Sequence, residues 1–232
     1  MPDFFLPYEN DLFFLINGSH SRFMDSLTVL FSGYTIWALP VLFLLGVLFY
    51  KKNWREWLWV LLCIALLFTL CDMLSSNIIK PLVGRPRPVV YPGIMEHVRS
   101  FEGYGKYLTG FGFISGHTTN SFGLAMFTTL LFRNRLYGWM IFCWAVVMGY
   151  SRIYLGVHFV SDVLGGMVVG VAAGCLIYAI YRFVVKAAEK RGIATPASYD
   201  SKRIKILSLG IICYIVFFSL LSPWLINIIG TL

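Results

Sequence analysis

The stretch WLWVLLCIALLFTLCDMLSSNII, residues 57–79, carries one charged side chain, Asp72, in 23 positions. About 20 apolar residues cross a bilayer as a helix, so this stretch reads as a transmembrane span. Comparable runs lie on both sides: Leu27 to Tyr50, Thr118 to Phe132, Leu136 to Tyr150, His158 to Val185 and Ile204 to Ile229. None alternates in the manner of barrel strands, and backbone in hydrocarbon must satisfy its own hydrogen bonds, which leaves helices. The expectation is an all-α polytopic membrane protein of six transmembrane helices, a single domain over residues 1–232. Composition agrees. Of 232 residues 58% are hydrophobic and 13% charged, about half the charge of a soluble domain. With a mean hydropathy of +0.74, a water-soluble fold is excluded.

Residues 1–25 mix Phe13, Phe14 and Leu15 with Glu9, Asp11 and Asp25, and lack the basic start and cleavage site of a signal peptide. They read as an interfacial helix. Residues 80–117 form the longest polar stretch, rich in Pro and Gly, and too long for a mere connector. The runs at Thr118 and Leu136 have fifteen residues each, about 22 Å of helix, so their loop-side ends lie below the membrane surface. Loops one, three and five hold 12 of the 19 Lys and Arg residues. The positive-inside rule puts those loops in the cytoplasm and the 80–117 loop outside. Topology accounts for the net charge of +8, and nucleic acid is not an expected partner. The five cysteines sit inside apolar runs without a Cys-x-x-Cys pair, which argues against a disulfide framework or a zinc site. No motif sets an oligomeric state.

Three clusters place ionisable groups at the outer edges of apolar runs. The first is Lys80-Pro-Leu-Val-Gly-Arg85-Pro-Arg87-Pro88, the second Phe113-Ile114-Ser115-Gly116-His117, the third Ser151-Arg152 followed by His158 and Asp162. His158 and Asp162, four apart, share one helical face. Permanent cations, two imidazoles and a carboxylate suit phosphoryl transfer: cations hold the oxygens, one imidazole attacks phosphorus, the other protonates the leaving oxygen. Taken singly, Lys80 and Arg87 would be snorkelling cations, and the His158–Asp162 pair a structural hydrogen bond or half a metal site.

Together the clusters resemble the three-part signature of the type 2 phosphatidic acid phosphatase superfamily, which includes the vanadium haloperoxidases. The match covers about 80 residues, and the order, spacing and helix layout agree; Ile114 departs from the Pro usual before Ser-Gly-His. The resemblance implies a catalytic set of His158 as nucleophile, Asp162 as its partner and His117 as general acid. Lys80, Arg87, Arg152, Ser115 and the Gly116 backbone N–H would bind phosphate. The implied activity is metal-independent and cofactor-free hydrolysis of a membrane lipid phosphate through a phosphohistidine. The outward site implies undecaprenyl diphosphate, lipid A phosphate or phosphatidylglycerol phosphate as substrates, in a bacterial inner membrane with the site facing the periplasm. The alternative is a lipid-phosphate transporter or flippase that binds without cleaving. Asp72 either orients Lys80 or packs against a neighbouring span. Arg85 is expected at the loop surface, as are Glu96, His97, Arg99, Glu102 and Lys106.

Overall fold

The computed structural model describes residues 6–19, 21–33, 35–101, 110–192 and 199–229. Among them there are helices and loops but no β-strand, only an isolated bridge between Pro86 and Phe111. Helix α1 covers Leu6–Asn17 and α2 Arg22–Ser32; a 3₁₀ turn at Thr35–Trp37 leads into α3, Ala38–Phe49. Helix α4, Trp54–Asp72, passes through a π-helical segment, Met73–Ile79, into the short α5, Lys80–Val83. After the long loop that follows α5 come α6, Gly116–Phe132, α7, Arg135–Tyr154, α8, Val160–Lys190, and α9, Ser201–Ile229.

Among the described residues four helical stretches are long and apolar enough to cross a membrane: Trp54–Val83, Arg135–Tyr154, Val160–Lys190 and Ser201–Asn227. The bent pair of α2 and the Thr35–Phe49 segment makes a fifth if counted as one span. Helix α6 has 17 residues, about 25 Å, against a hydrocarbon core of about 30 Å. Large apolar side chains such as Val168, Phe183, Leu220 and Trp139 are exposed, as lipid-facing residues of a membrane protein should be.

Two boundaries differ from the sequence reading. The run from Leu27 to Tyr50 is not one helix: α2 stops at Ser32, Gly33 is extended, and the Trp37 indole donates to the Phe31 carbonyl at 2.9 Å. The 80–117 stretch is not loop from its start, because the helix carries Lys80 on to Val83 and ends where Gly84 takes φ 64° and donates to the Lys80 carbonyl. Within the expected interfacial segment, helix α1 packs against the bundle. Phe13 is fully buried and packs on Phe159 with ring centroids 5.3 Å apart. Asn17 Nδ2 donates to the carbonyls of Arg99 and Tyr154, both at 2.9 Å. Helix α1 is therefore docked on the C-terminal end of α7 and the N-terminal end of α8.

The tightest packing is α6 on α8. Gly166, Gly170 and Gly174 recur every fourth residue along α8, and a Cβ on them would stand 2.8 Å from the Ser115 carbonyl oxygen, 2.4 Å from that of Thr119 and 2.6 Å from that of Gly123. Only glycine lets the two backbones approach this closely, the small-residue device by which membrane helices gain contact without a hydrophobic driving force. The approach fixes the N-terminus of α6, with Ser115 to His117, against the N-terminus of α8, with His158 to Asp162.

Candidate active site

The three clusters converge on one cavity of about 880 Å³, lined by Lys80, Arg87, Gly116, His117, Arg152 and His158 among others. Lys80 comes from the end of the long helix, Arg87 from the extended segment after Gly84, and Gly116 and His117 from the first turn of α6. Arg152 comes from the last turn of α7, and His158 from the turn into α8. The cations are held in place. Arg152 donates to Ser151 Oγ through Nε (3.1 Å) and Nη2 (3.0 Å), and Nη2 also donates to Ser32 Oγ, so the break after α2 serves to orient this arginine. Arg87 Nη1 donates to the Val157 carbonyl at 3.5 Å. A Cβ on Gly116 would lie 3.8 Å from Lys80 Nζ and 3.4 Å from Ser75 Oγ. The ammonium thus stands beside the α6 N-terminus, where dipole and point charge favour the same anion.

His158 is buried, with Nδ1 3.2 Å from Asp162 Oδ2, which leaves Nε2 as the nitrogen for the cavity. Nδ1–H donation to that carboxylate fixes the tautomer whose Nε2 carries the lone pair. Asp162 is fully buried. Its Oδ2 also accepts the Phe159 backbone N–H (3.0 Å), and its Oδ1 accepts from Arg85 Nη1 (3.1 Å). Two main-chain hydrogen bonds knit the loops at this point: Ser115 N–H donates to the Asp162 carbonyl (2.9 Å), and Gly112 N–H to that of Arg85 (2.7 Å).

A site in which two histidines and three cations line one cavity has relatives. The PAP2 superfamily profile matches residues 56–186. Lipid A 4′-phosphatase of Porphyromonas gingivalis is 36% identical over 219 residues, covering 92% of this chain and 90% of that protein. The chain belongs to the PAP2 superfamily. Lipid A 4′-phosphatase of Bacteroides thetaiotaomicron is 35% identical, over 78% of this chain and 80% of that one. Undecaprenyl-diphosphatase BcrC of Bacillus subtilis is 28% identical, over 72% and 81%. This PAP2 chain is thus an integral membrane enzyme of the lipid phosphatase class, as the three motifs imply.

Seven of its eight motif residues gather at the cavity or directly behind it. Ser115 is set apart: fully buried and off the cavity wall, it caps α6, its Oγ accepting from Thr118 Oγ1 (3.0 Å) and N–H (3.5 Å). Arg85 is a correction. It is not at the loop surface but 1% exposed, donating to Ser161 Oγ (2.6 Å) and Asp162, pairing with Glu9 through Nη2, and stacked 4.1 Å over the Phe159 ring. Glu9 in turn accepts from Ser161 N–H (2.8 Å) and Oγ (3.0 Å). Arg99 is a second correction. It pairs with both Asp25 oxygens at 2.9 and 2.6 Å and pins the long loop before α6 to α2. Glu102 and Lys106 lie outside the described residues. Asp72, left open by the sequence, lines the cavity two turns before Lys80 and accepts from Ser76 Oγ at 3.0 Å.

Proposed function

We propose that the protein is a metal-independent lipid A phosphatase, acting at the outer face of a bacterial inner membrane on a phosphate of the 4′ type. The observation that carries this reading is a single cavity with phosphate-binding cations and two histidines at one end and bilayer-level apolar side chains, Val41, Leu44, Leu124 and Trp144, along the rest. A lipid entering sideways would seat its phosphate among Lys80, Arg87, Arg152 and the α6 N-terminus while its chains stay in hydrocarbon. His158 Nε2 then bonds to phosphorus as the bond from phosphorus to the sugar oxygen breaks, and a protonated His117 gives its proton to that oxygen. In the second half His117 takes a proton from water, the water oxygen attacks phosphorus, and the P–N electrons return to His158 with release of inorganic phosphate. Asp162 holds the imidazole tautomer throughout. Near-complete coverage of the Porphyromonas relative supports lipid A over undecaprenyl diphosphate. In this reading the chain is one domain with six crossings, the bent α2–α3 pair and the short α6 included.

Purified protein in detergent should release inorganic phosphate from lipid A faster than from undecaprenyl diphosphate or phosphatidylglycerol phosphate, and should do so in EDTA. A transporter would release none, since binding needs the cations but not the paired histidines. Loss of activity in chelator with recovery on adding a divalent metal would defeat the metal-free mechanism.

The outer-face assignment has its own test. In a background without the five native cysteines, a membrane-impermeant thiol reagent added from outside should label Met95→Cys and spare Arg135→Cys. Both positions are exposed, and they lie in loops on opposite sides of the expected topology. The reverse pattern would move the chemistry to the cytoplasm.

A further inference from the structure

Helix α1 lies outside the stretch matched by the family profile, residues 56–186, yet it places one side chain behind the nucleophile. Glu9 is buried, and both of its oxygens are used. Oε2 accepts from the Ser161 N–H (2.8 Å), and Oε1 from Ser161 Oγ (3.0 Å) and from Arg85 Nη2. Ser161 is the second residue of α8, so Glu9 satisfies one of the N–H groups that a helix start leaves free. Arg85 Nη1 reaches Asp162 Oδ1 at 3.1 Å, and Asp162 Oδ2 meets His158 Nδ1 at 3.2 Å. Glu9, Arg85, Asp162 and His158 therefore form a continuous series of contacts between buried side chains.

Charge gives this series a role beyond scaffolding. When Nε2 bonds to phosphorus, the His158 ring keeps its Nδ1 proton and becomes a cationic phosphoimidazolium, and the carboxylate in contact with it is Asp162. Arg85 opposes that stabilisation, since a cation on Oδ1 offsets the charge that Oδ2 presents to the ring. Glu9, Arg85 and Asp162 together carry one net negative charge, whereas Arg85 and Asp162 alone would carry none. In a buried cluster such charges act with little screening. We propose that Glu9 is a positioning residue for phosphoryl transfer: by neutralising Arg85 it leaves the charge of Asp162 free to act on His158. The inference rests on the reading of His158 as nucleophile and is independent of which lipid is cleaved.

The test follows phosphoenzyme formation from ³²P-labelled p-nitrophenyl phosphate in rapid-quench single turnovers of the full-length protein in detergent. Glu9→Gln, which keeps the length of the side chain and removes its charge, should slow phosphorylation by about tenfold or more. The inhibition constant of inorganic phosphate should stay within about twofold, because Lys80, Arg87 and Arg152 are untouched. Glu9→Asp, which keeps the charge and shortens the side chain, should phosphorylate faster than Glu9→Gln. A packing role predicts the reverse order. A Glu9→Gln rate equal to wild type, a Glu9→Asp rate no higher than that of Glu9→Gln, or phosphate binding that weakens in step with the rate would each overturn the proposal. If thermal unfolding shows that Glu9→Gln is not folded, Glu9→Asp decides: phosphorylation within about tenfold of wild type supports the charge role, and a larger loss overturns it. Wild-type protein that releases phosphate without ever labelling His158 would instead overturn the nucleophile reading itself.

Discussion

His158→Ala will abolish both turnover and covalent phosphoenzyme, whereas His117→Gln will turn over slowly yet accumulate phosphoenzyme from an activated substrate. The difference follows from what each ring touches. His158 is backed by Asp162, which holds one nitrogen and leaves the other to attack; without the imidazole there is no nucleophile, and the loss should be about 10⁴-fold or more. His117 stands in the first turn of α6, on the cavity wall, and its loss should cost about 10² to 10⁴ in general acid–base catalysis. p-Nitrophenyl phosphate has a good leaving group that needs little protonation, so phosphorylation of His158 proceeds while water attack lacks its base. Acid-labile ³²P should therefore build up on the His117→Gln protein in quenched reactions. Label that survives His158→Ala but vanishes in His117→Gln would require exchanging the two roles.

Arg85→Ala should damage the fold as well as the chemistry. It removes the cation between two buried carboxylates, Glu9 and Asp162. Breaking such a pair costs about 3–5 kcal/mol, because the remaining charge stays buried and uncompensated. The midpoint of thermal unfolding in detergent should fall, and kcat should fall with it as Asp162 loses one of the donors that fix its position. Arg85→Lys should rescue little, since a single ammonium cannot reproduce the fork that reaches Ser161, Asp162 and Glu9 together. Combining Glu9→Gln with Arg85→Ala should cost less than the sum of the two, as members of one network do. A variant of unchanged stability with a raised KM would place Arg85 on the substrate instead.

What could be read from the sequence divides along the range of the interaction. The spans were legible because burial in lipid demands apolar runs, and the motif residues because reaction chemistry fixes residue types at short spacings: His158 and Asp162 lie within one turn of helix. The partners that hold them are remote in the chain. Glu9 meets Ser161 across 152 residues, and Ser32 meets Arg152 across 120, distances over which no local pattern carries information. Arg85 and Arg87 look alike in the sequence, two cations flanking Pro86, yet one supports a carboxylate and the other lines the cavity. The break after Ser32 was missed because it lies inside an apolar run, where a hydrogen bond such as that from the Trp37 indole to the Phe31 carbonyl leaves no pattern. The glycines at 166, 170 and 174 stood in plain view, but their four-residue period means close approach only once α6 is known to be the neighbour.

The π-helical segment at Met73–Ile79 sets the phase of the helix that carries Lys80. On a regular α-helix, side chains at every fourth residue drift by about 40° per step, so Phe68, Asp72, Ser76 and Lys80 would fan out over about 120°. The wider π turn takes up an extra residue and rotates the later members back, which is why all four reach the same cavity. The helix behaves as a screw thread with a built-in correction: removing one residue anywhere between Met73 and Ile79 would leave every later side chain intact in identity but swing Lys80 out of line with the histidines. In this enzyme a single inserted residue, not any one side chain, keeps the membrane-level half of the cavity in step with its catalytic half.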